Sequence, residues 1–471
     1  MSASSSAASS AAPQSSLSIQ PSPVFAAGQS LSGSSIEANG LVVHPQRDEL
    51  YNELHSRPSY TFAAPTQMTH IAIQHGGGMK QQEIALLGAL CDRYQVTAPT
   101  ATMPCFQQDF GLFELRWERH SEFSGYTFIR KGVIEHSPFK VNAIDLVPSE
   151  WLSQLPGKVV AAFHLLLEDA IGTAEPPVEV VASYFENLRL VGSQPANGKA
   201  SVWTTFRLHS DGFGRFMLYN RGLSESQLGR MVQRFIELET YRLMAALGLP
   251  LAREISPQLN ELDQQLKEVT EAIAMMDGPD NERQLLDTLS AMAAKVEAFR
   301  ARSNYRFSAT TAYHQVVQQR LEVLRERERE VAGHLTLNEF LIRRLGPAVR
   351  TCEVTSSMLD DLSTRIDRAS RLLRTRVQLT VEEQNQELMS SLNHRGKVQL
   401  MMQQTVEGLS VVAISYYLIS ICQLGFEMLY DLGVPINKEL STGISIPLVM
   451  VAVWVTTRRI HRHFNRLGNK P

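Results

Sequence analysis

The sequence predicts an α+β or α/β N-terminal domain, a long antiparallel helical stalk with coiled-coil seams, and a C-terminal hairpin of two transmembrane helices. Three observations lead to this fold class. Period-two alternation runs through much of residues 41–250, apolar residues recur at spacings of three and four through 251–405, and two uncharged segments lie within 406–457. A Ser/Ala-rich tail, residues 1–40, and a basic tail, residues 458–471, complete the chain.

Composition limits the classes of function. The 471 residues are enough for two or three domains, and 45 Lys+Arg against 48 Asp+Glu give a formal net charge of -3. A balanced charge offers no general attraction for nucleic acid, so no nucleic-acid partner is expected. The four cysteines form no CxxC pair, which argues against a zinc site, a redox dithiol and a disulfide framework. We expect a reducing compartment, no metal and no cofactor.

The first 40 residues predict a disordered tail. They contain no Lys or Arg and no continuous apolar segment, so they fit neither a secretory signal nor a transit peptide. A tract this poor in large apolar side chains buries too little surface to offset the entropy of ordering.

Short strands predict the mixed cytoplasmic domain. A helix is predicted over 81–94, and Ser224 with Gln227 forms a capping box that opens a helix closed by Gly248 and Pro250. The stretches with strand character are THIAIQ (69–74), LFELRWER (112–119), YTFIRK (126–131), VEVVASYF (178–185) and a hairpin, SVWTTFRLHSDGFGRFMLYNRG (201–222).

Apolar spacing changes after residue 251 and predicts the stalk. A break at Gly278-Pro279 separates two antiparallel helices, and further seams follow, one of them interrupted at Glu328. The seams are Leu259, Leu262, Leu266, Val269, Ile273 and Met276; Leu285, Leu289, Met292, Val296 and Phe299; Val317, Leu321, Leu324, Val331 and Leu335; and Leu362, Ile366, Ala369 and Leu373. The last helix is expected to run directly into the first span.

Two uncharged segments predict the transmembrane hairpin. Helices over 408–426 and 440–457 would be about 28 and 27 Å long, close to the hydrocarbon thickness of a bilayer. The alternative is a helical hairpin in the core of a soluble domain. Five basic residues follow the second segment, whereas acidic residues dominate the short outer link, so the positive-inside rule places both termini in the cytoplasm. The expected location is the bacterial inner membrane, with a multi-pass chain in contact with the lipid bilayer.

Polar residues in the first segment lie on one helix face. With spacings of four, three and four, they are Tyr416, Ser420, Gln423 and Glu427. Polar side chains at bilayer depth are costly unless they meet other helices or water. The stripe therefore indicates either packing against the second span and neighbouring subunits or the wall of a pore.

Candidate ligand residues lie in two places. The strand FELRWERHSE alternates, and its polar face carries Glu114, Arg116, Glu118 and His120. That face is either a ligand cleft or a cross-strand ladder of ion pairs on a solvated sheet. The stretch NELHSRP offers His55 and Arg57 beside a rigid proline, where they either hold an anion or serve as structural hydrogen-bonding groups.

Several long stretches resemble the signatures of a bacterial family of uncharacterised membrane-anchored proteins, domain of unknown function 3422. They are NELHSRP, LRWERHSEFSGYTFIR, GRMVQRFIELETYRLMAALGLP and QTVEGLSVVAISYYLIS. The resemblance implies membrane anchoring but no activity and no catalytic residue. The layout is also similar to that of CorA-type magnesium channels, which are homopentamers. Those channels carry Gly-Met-Asn after the first span, where this chain reads DLGVPIN, so the similarity implies no magnesium selectivity.

Three functions are consistent with these features. The first and preferred one is a non-enzymatic, homo-oligomeric membrane protein, joined through its stalk and spans, whose cytoplasmic domain senses a signal or binds a partner. The second is an ion channel or transporter of CorA-like layout, for an ion of unknown identity, that uses the polar stripe. The third is a membrane-tethered enzyme that acts on a small ligand through the face with Arg116, Glu118 and His120, together with His55 and Arg57.

Overall fold

The computed structural model describes residues 42–47, 50–51, 60–75, 78–101, 103–132, 138–172, 175–275, 279–325, 328–433, 435 and 437–467. The chain divides into two compact units, which we name the sheet unit (Met1–Ala246 and Ala312–Gly346) and the helical unit (Leu247–Thr311 and Pro347–Pro471). The expected stalk, 251–405, therefore includes a stretch, Ala312–Gly346, that belongs to the sheet unit. The expected tail over 1–40 lies outside the described residues.

A mixed sheet forms the framework of the sheet unit. Its strands are β1 (Thr66–Gln74), β2 (Cys105–Asp109), β3 (Glu114–Arg119), β4 (Phe123–Lys131), β5 (Lys158–Asp169), β6 (Val191–Gln194), β7 (Ala200–Thr204), β8 (Gly214–Asn220) and β9 (Arg329–Glu330). In the described part of the chain the order is β2-β3-β4-β1-β5-β8-β7-β6-β9. Strands β5 and β8 pair in parallel, and the other ladders are antiparallel.

The two longest helices lie in the C-terminal half of the chain. They are α1 (Lys80–Tyr94), α2 (Ser149–Leu152), α3 (Val178–Tyr184), α4 (Glu225–Ala246), α5 (Gly248–Ala274), α6 (Pro279–Arg325), α7 (Leu337–Asp431) and α8 (Lys438–Leu467). Helix α7 alone has 95 residues. The last predicted helix does run without interruption into the first uncharged segment.

Several predicted elements are confirmed. Strands β1, β3 and β4, the β7–β8 hairpin and helix α1 all lie where the patterns indicated. The capping box is present as well, because the Ser224 N–H donates to Gln227 Oε1 at 3.0 Å and the Gln227 N–H donates to Ser224 Oγ at 3.4 Å. Local chemistry was sufficient for these elements.

The strand predicted over 178–185 is wrong, since these residues form helix α3. Pro177 precedes the helix, and Val181 and Phe185, four residues apart, are buried. That spacing is helical, whereas β-branched valines suggested a strand. Tertiary burial of one helical face overrides the local preference.

Strand β5 is the longest strand of the sheet, yet no strand was predicted there. Its centre is an apolar run, interrupted by His164, that is buried on both sides, and such a run lacks the period-two alternation on which the predictions relied. Its position between β1 and β8 makes it the central strand that joins the two halves of the sheet.

Both faces of the sheet are covered. On one face, helix α1 contributes Leu87 and Leu90 to a core that includes Trp117 and Phe128. On the other face, Phe235 of α4 stacks on Phe216, with ring centroids 6.2 Å apart. Strands β1, β7 and β8 are consequently buried along nearly their whole length, and the solvated face expected for a period-two strand is not found there.

The sequence predictions around two glycine breaks differ in their outcome. Helix α6 begins at Pro279, as the predicted break requires. Gly248, however, does not close a helix, because α5 begins there after a single intervening residue. A Cβ on Gly248 would lie 2.4 Å from Thr310 Oγ1, so the glycine is needed for a close helix approach.

Three long helices share the core of the helical unit. Its buried residues include Leu259, Leu262, Leu266, Val269 and Ile273 of α5, Leu289, Met292 and Val296 of α6, and Leu362, Ile366, Ala369 and Leu373 of α7. Of the other predicted seam residues, Leu285 and Phe299 are partly buried against this core, and Met276 lies outside the described residues. A third predicted seam is only partly correct. Val317, Leu321 and Leu324 are buried in α6, but that helix ends at Arg325, and Val331 and Leu335 lie outside any helix.

Hydrogen bonds between helices fix their directions in this core. Ser256 Oγ lies 2.9 Å from Thr355 Oγ1, and farther along both helices Arg365 Nη1 donates to Asp263 Oδ1, so α5 and α7 run parallel. Arg302 of α6 donates to both carboxylate oxygens of Glu254 at 2.6 and 2.8 Å. Because Glu254 lies near the start of α5 and Arg302 well along α6, these two helices are antiparallel, as the sequence predicted.

A long part of α7 is left exposed by the described part of the chain. All residues from 381 to 410 are exposed, a stretch of about 45 Å at the helical rise per residue. Large apolar side chains are included, with Leu388 60% and Met402 66% exposed.

Two helices are long and apolar enough to cross a membrane, and they contain the predicted segments. Of the most apolar window in each, only 6% and 0% of the residues are buried. Helices in the core of a soluble domain bury their apolar side chains. Within the described part of the chain, these two helices are therefore not covered as helices in a soluble core are.

Candidate functional site

The β3–β4 hairpin carries three of the predicted ligand residues. Arg116 and Glu118 lie two apart on β3 and share one face of the sheet. His120 follows the strand in the turn, where its N–H donates to the carbonyl oxygen of Phe123 at 2.8 Å. The other two predicted residues, His55 and Arg57, lie outside the described residues.

Arg116 is buried and held by two groups. Its Nε and Nη2 donate to Glu118 Oε1 at 3.0 and 2.6 Å, and its guanidinium carbon lies 3.5 Å from the centroid of the Tyr60 ring. The side chain is only 3% exposed, so the polar face of β3 is not the solvated ladder that was one alternative. Burial raises the pKa of Tyr60, and the neighbouring Glu118 carboxylate raises it further, so the phenol stays neutral.

A chain of hydrogen bonds continues from Tyr60 across the sheet. Strand register places Thr127 beside Arg116 and His70 beside Thr127. Thr127 bonds the Tyr60 hydroxyl, and its Oγ1 lies 2.8 Å from His70 Nδ1. Burial lowers the pKa of His70 to about 3, so the ring is neutral at physiological pH. A Cβ on Gly125 would lie 3.1 Å from His70 Cε1, and glycine there leaves room for the ring.

A buried carboxylate gathers donors at the turn end of the same hairpin. Glu122 is 5% exposed and accepts hydrogen bonds from Gln74 Nε2 at 3.0 Å and from the Tyr313 hydroxyl at 2.9 Å. Tyr313 in turn stacks on Tyr241 with ring centroids 5.5 Å apart. Strand β1, the hairpin, α4 and α6 therefore meet at this carboxylate.

His120 belongs to the same aromatic group. Its ring stacks on Phe123 at 4.4 Å between centroids and meets the edge of Tyr241 at 6.4 Å. We name the whole set the hairpin cluster: Tyr60, His70, Arg116, Glu118, His120, Glu122, Thr127, Tyr241 and Tyr313. Arg116, Glu118 and His120 are thus brought to one place, as predicted, although only the first two contact each other in the hydrogen bonds described.

Helix α4 adds charges to the region of the hairpin cluster. The Glu237 carboxylate contributes to the raised pKa of Tyr60 and accepts a hydrogen bond from Arg320 Nε. Burial lowers the pKa of Arg234, and the positive charges of Arg320 and Arg230 lower it further.

Sequence reasoning missed Glu122, Tyr241 and Tyr313. The partners Glu122 and Tyr313 are 191 residues apart in the chain, and no spacing rule connects them. The only available signal was the ERHSE stretch, in which Glu122 closely follows the charged strand residues.

A second polar group lies on the other face of the sheet. His164 Nδ1 is 2.9 Å from Thr69 Oγ1, and the ring stacks on Phe213 at 4.3 Å between centroids. Burial lowers the pKa of His164 to about 4, partly offset by the Asp211 carboxylate. Arg215 donates to Asp211 Oδ2 at 2.6 Å and to the Tyr184 carbonyl oxygen at 2.8 Å, which ties the β7–β8 loop to the end of α3.

The charged groups at the centre of the hairpin cluster already have partners. Arg116 is already neutralised by Glu118 and covered by Tyr60, so it is not an open anion-binding group. Within the described ranges, no group of three or more His, Cys, Asp or Glu side chains is placed to hold a metal ion. His120, Tyr241 and Tyr313 are half-buried and are the members able to contact a ligand or partner.

The predicted polar stripe of the first span is mostly exposed. Tyr416 is 69% exposed, Gln423 and Glu427 are exposed, and Ser420 is half-buried. The more covered face of this segment lies one position away in sequence and comprises Val411, Ser415, Ile419, Cys422 and Phe426. One residue corresponds to about 100° around a helix, so the stripe is not the face that is covered within a single chain.

Comparison with known protein families identifies the chain's relatives. The sequence model of a family described as Protein of unknown function (DUF3422) matches residues 43–464. The chain belongs to this family. The match extends through both units of this DUF3422 member. Neither the curated proteins nor the solved structures gave a match, and the likeness of layout to CorA-type channels is not shown.

The buried pair Arg116–Glu118 leads to a stability prediction. Replacing Arg116 by Met should lower the free energy of unfolding of the sheet unit by about 2 to 3 kcal/mol, because the Glu118 carboxylate is left without its partner. The double variant Arg116→Met/Glu118→Gln should regain part of this loss. Denaturant unfolding followed by tryptophan fluorescence measures both.

Arg93→Met is the matched control, since Arg93 lies 3.7 Å from Glu150 with 58% of its side chain exposed. Its effect should stay within about 0.5 kcal/mol. Equal losses for Arg93→Met and Arg116→Met, or a double variant weaker than the single one, would contradict the pairing.

His164 leads to a pH prediction. Its pKa in the folded chain, about 4, lies below the ordinary 6.5, so the unfolded chain binds the extra proton first as pH falls. The free energy of unfolding should therefore decrease between pH 6.5 and pH 4, and His164→Gln should make this slope shallower by up to about 1.4 kcal/mol per pH unit. His70→Gln should act in the same direction. Unfolding curves at several pH values test this, and unchanged slopes in both variants would refute it.

Proposed function

We propose that this DUF3422 protein is a non-enzymatic, homo-oligomeric protein of the bacterial inner membrane whose cytoplasmic sheet unit senses a signal or binds a partner. The observation that carries the proposal is the exposure of the two apolar helices. Leu409 is 76% exposed and Leu448 is 66% exposed, and neighbouring side chains are similar. Apolar surface of this extent is unfavourable in water and is accommodated by lipid.

The proposed topology places both chain ends on the cytoplasmic side. Helix α8 continues past its apolar part into Arg458 and Arg459, and the link before it carries Asp431 and Glu439. Basic residues on the cytoplasmic side and an acidic outer link follow the positive-inside rule. Two spans return the chain to the side from which it entered.

The proposed stalk is a coiled coil of α5, α6 and the first part of α7. The shared core of seam residues and the alternating helix directions support it.

The hairpin cluster is the proposed sensing or binding point. Its half-buried aromatic side chains and its buried carboxylate come from four elements that are distant in sequence. A ligand or partner that engaged His120, Tyr241 or Tyr313 would therefore bias the packing of several elements at once. We assign it no reaction, because its charged groups already have partners.

Membrane anchoring should be visible by fractionation. The intact chain should sediment with membranes, resist alkaline carbonate extraction and be released by detergent, because two spans remain in the bilayer. Orientation is tested with Asn437→Cys in the outer link and Ser390→Cys in α7, each treated with a membrane-impermeant maleimide. Only Asn437→Cys should react in intact spheroplasts.

Permeabilised spheroplasts serve as the control, in which Ser390→Cys should react as well. A folded chain that stays in the supernatant without detergent would overturn the anchoring. Labelling of Ser390→Cys in intact spheroplasts would overturn the orientation alone.

A second candidate function is an ion channel or transporter, and one observation favours it. The polar stripe Tyr416, Ser420, Gln423 and Glu427 is left largely uncovered by its own chain, so in an assembly it would face neighbouring copies or a water-filled path. Polar side chains in a lipid-exposed position would be costly.

Ion flux decides between these two candidates. Proteoliposomes would be assayed with potassium and magnesium indicators, and a channel should lose flux after Gln423→Leu or Glu427→Ala. Leu424→Ala, on the adjacent position, is the control that should retain it. Absence of flux in every preparation, or flux that is insensitive to both polar substitutions, would reject the pore.

A further inference from the structure

The exposed part of α7 carries a regular series of positions on one helix face. We name it the α7 stripe: the positions that follow one another by four and three residues from Val381 to Glu427. They are Val381, Asn385, Leu388, Leu392, Arg395, Gln399, Met402, Val406, Leu409, Ala413, Tyr416, Ser420, Gln423 and Glu427. The predicted polar stripe of the first span is therefore the C-terminal end of a longer heptad pattern.

The first argument is that five of the eight stripe residues before the predicted span are large apolar side chains in exposed positions, beside Asn385, Arg395 and Gln399. Leu388 is 60% exposed, Leu392 52%, Met402 66% and Val406 65%. A single helix with such side chains in water gains little stability of its own, because most helical stability in proteins comes from packing an apolar face. The stretch from 381 to 410 therefore requires a partner.

The second argument is the distribution of charge. In heptad terms, the stripe residues occupy positions a and d, and the residues beside them occupy positions e and g. Between residues 384 and 413, these four positions contain one charged residue, Arg395. The other charged residues of this stretch, Glu387, Lys397 and Glu407, lie at positions that face away. Identical copies can therefore meet along this face without a series of like charges opposing one another.

The third argument is orientation. It rests on the proposed membrane anchoring, which holds every copy with the same direction across the bilayer. Parallel copies bring residue i opposite residue i, so apolar positions meet apolar positions and Asn385 meets Asn385. A single asparagine at position a is a known device for fixing the register of parallel helices.

We propose that the α7 stripe is the contact face between parallel copies of this chain, from Val381 through the first span to Glu427. The same face then continues into the membrane, where the copies bring Tyr416, Ser420, Gln423 and Glu427 together. A straight helix drifts by about 20° per heptad, so the copies must wind around each other with a left-handed supercoil to keep the stripe in contact.

Cysteine cross-linking in native membranes tests the face. Two pairs of variants are made in the full-length chain carrying Cys105→Ser and Cys422→Ser, while Cys91 and Cys352 are retained because they are buried. In each pair one residue lies on the stripe and one faces away: Leu392→Cys with Ser390→Cys, and Met402→Cys with Gln404→Cys. Copper-phenanthroline oxidation should give a product of twice 52.6 kDa for the stripe variants and little or none for their partners.

Two further measurements on the same samples make every outcome informative. Co-expression of copies with two different tags identifies the product, which must contain both tags. A product that contains another protein would overturn the proposal, as would equal cross-linking within each pair or no cross-linking at maleimide-reactive stripe cysteines. Retention in the membrane fraction is scored separately, so a failed contact face is distinguished from failed anchoring.

Discussion

The exposure of apolar side chains along α7 and α8 is the constraint on which the rest of the structure depends. A chain that buries Trp117, Phe128 and Phe235 to within a few per cent in its sheet unit leaves Leu409 and Leu448 open. The difference is not a general lack of apolar partners, since the three-helix core of the helical unit is well covered. These exposed apolar surfaces therefore require contacts from outside the single chain. We propose that lipid and identical copies of the chain provide these contacts.

The sheet unit follows a different principle, in which buried polar groups satisfy one another. Arg116, Glu118, Tyr60, Thr127 and His70 form a connected series in which each member contacts the next. Such a network is costly if one member is removed, because the remaining groups stay desolvated. The network therefore favours one arrangement of the β3–β4 hairpin. The half-buried aromatic residues at the hairpin turn are positioned by this arrangement.

Individual helices and strands could be predicted from the sequence more accurately than the packing of these elements against one another. Capping chemistry placed the start of α4, and helical spacing placed the seams of α5 and α7, because these signals depend on neighbours within four residues. Strand β5 was missed because a fully buried strand has no alternation, and β9 was missed because the α6 pattern gave no sign of where the chain would leave the helix. The valines of α3 were misread because burial of one helical face outweighs β propensity.

The candidate site shows the same limit. The alternation of β3 correctly brought Arg116 and Glu118 to one face, but it could not show that this face is covered, since the covering Tyr60 comes from another part of the chain. Glu122 and Tyr313 are joined only by the tertiary fold. Composition and spacing therefore identified the hairpin as a cluster of polar residues. Its buried carboxylate and the aromatic residues around it could be identified only from the structure.

The α7 stripe carries different side chains before the first span and in the C-terminal part of that span. Before the predicted span, five of its eight residues are valine, leucine or methionine, and in water these favour association because they leave the solvent on contact. Within the span, lipid removes that driving force, since the tails are as apolar as leucine. After Leu409 and Ala413 the stripe there continues with tyrosine, serine and glutamine, and Glu427 follows directly after the span. Apolar side chains associate in water because water solvates them unfavourably. Polar side chains hydrogen-bond to one another in lipid because lipid offers them no hydrogen-bonding partners. A face that carries valine, leucine and methionine before the span and hydrogen-bonding side chains in the second half of the span is therefore suited to self-association along its length, and neither half alone would indicate this.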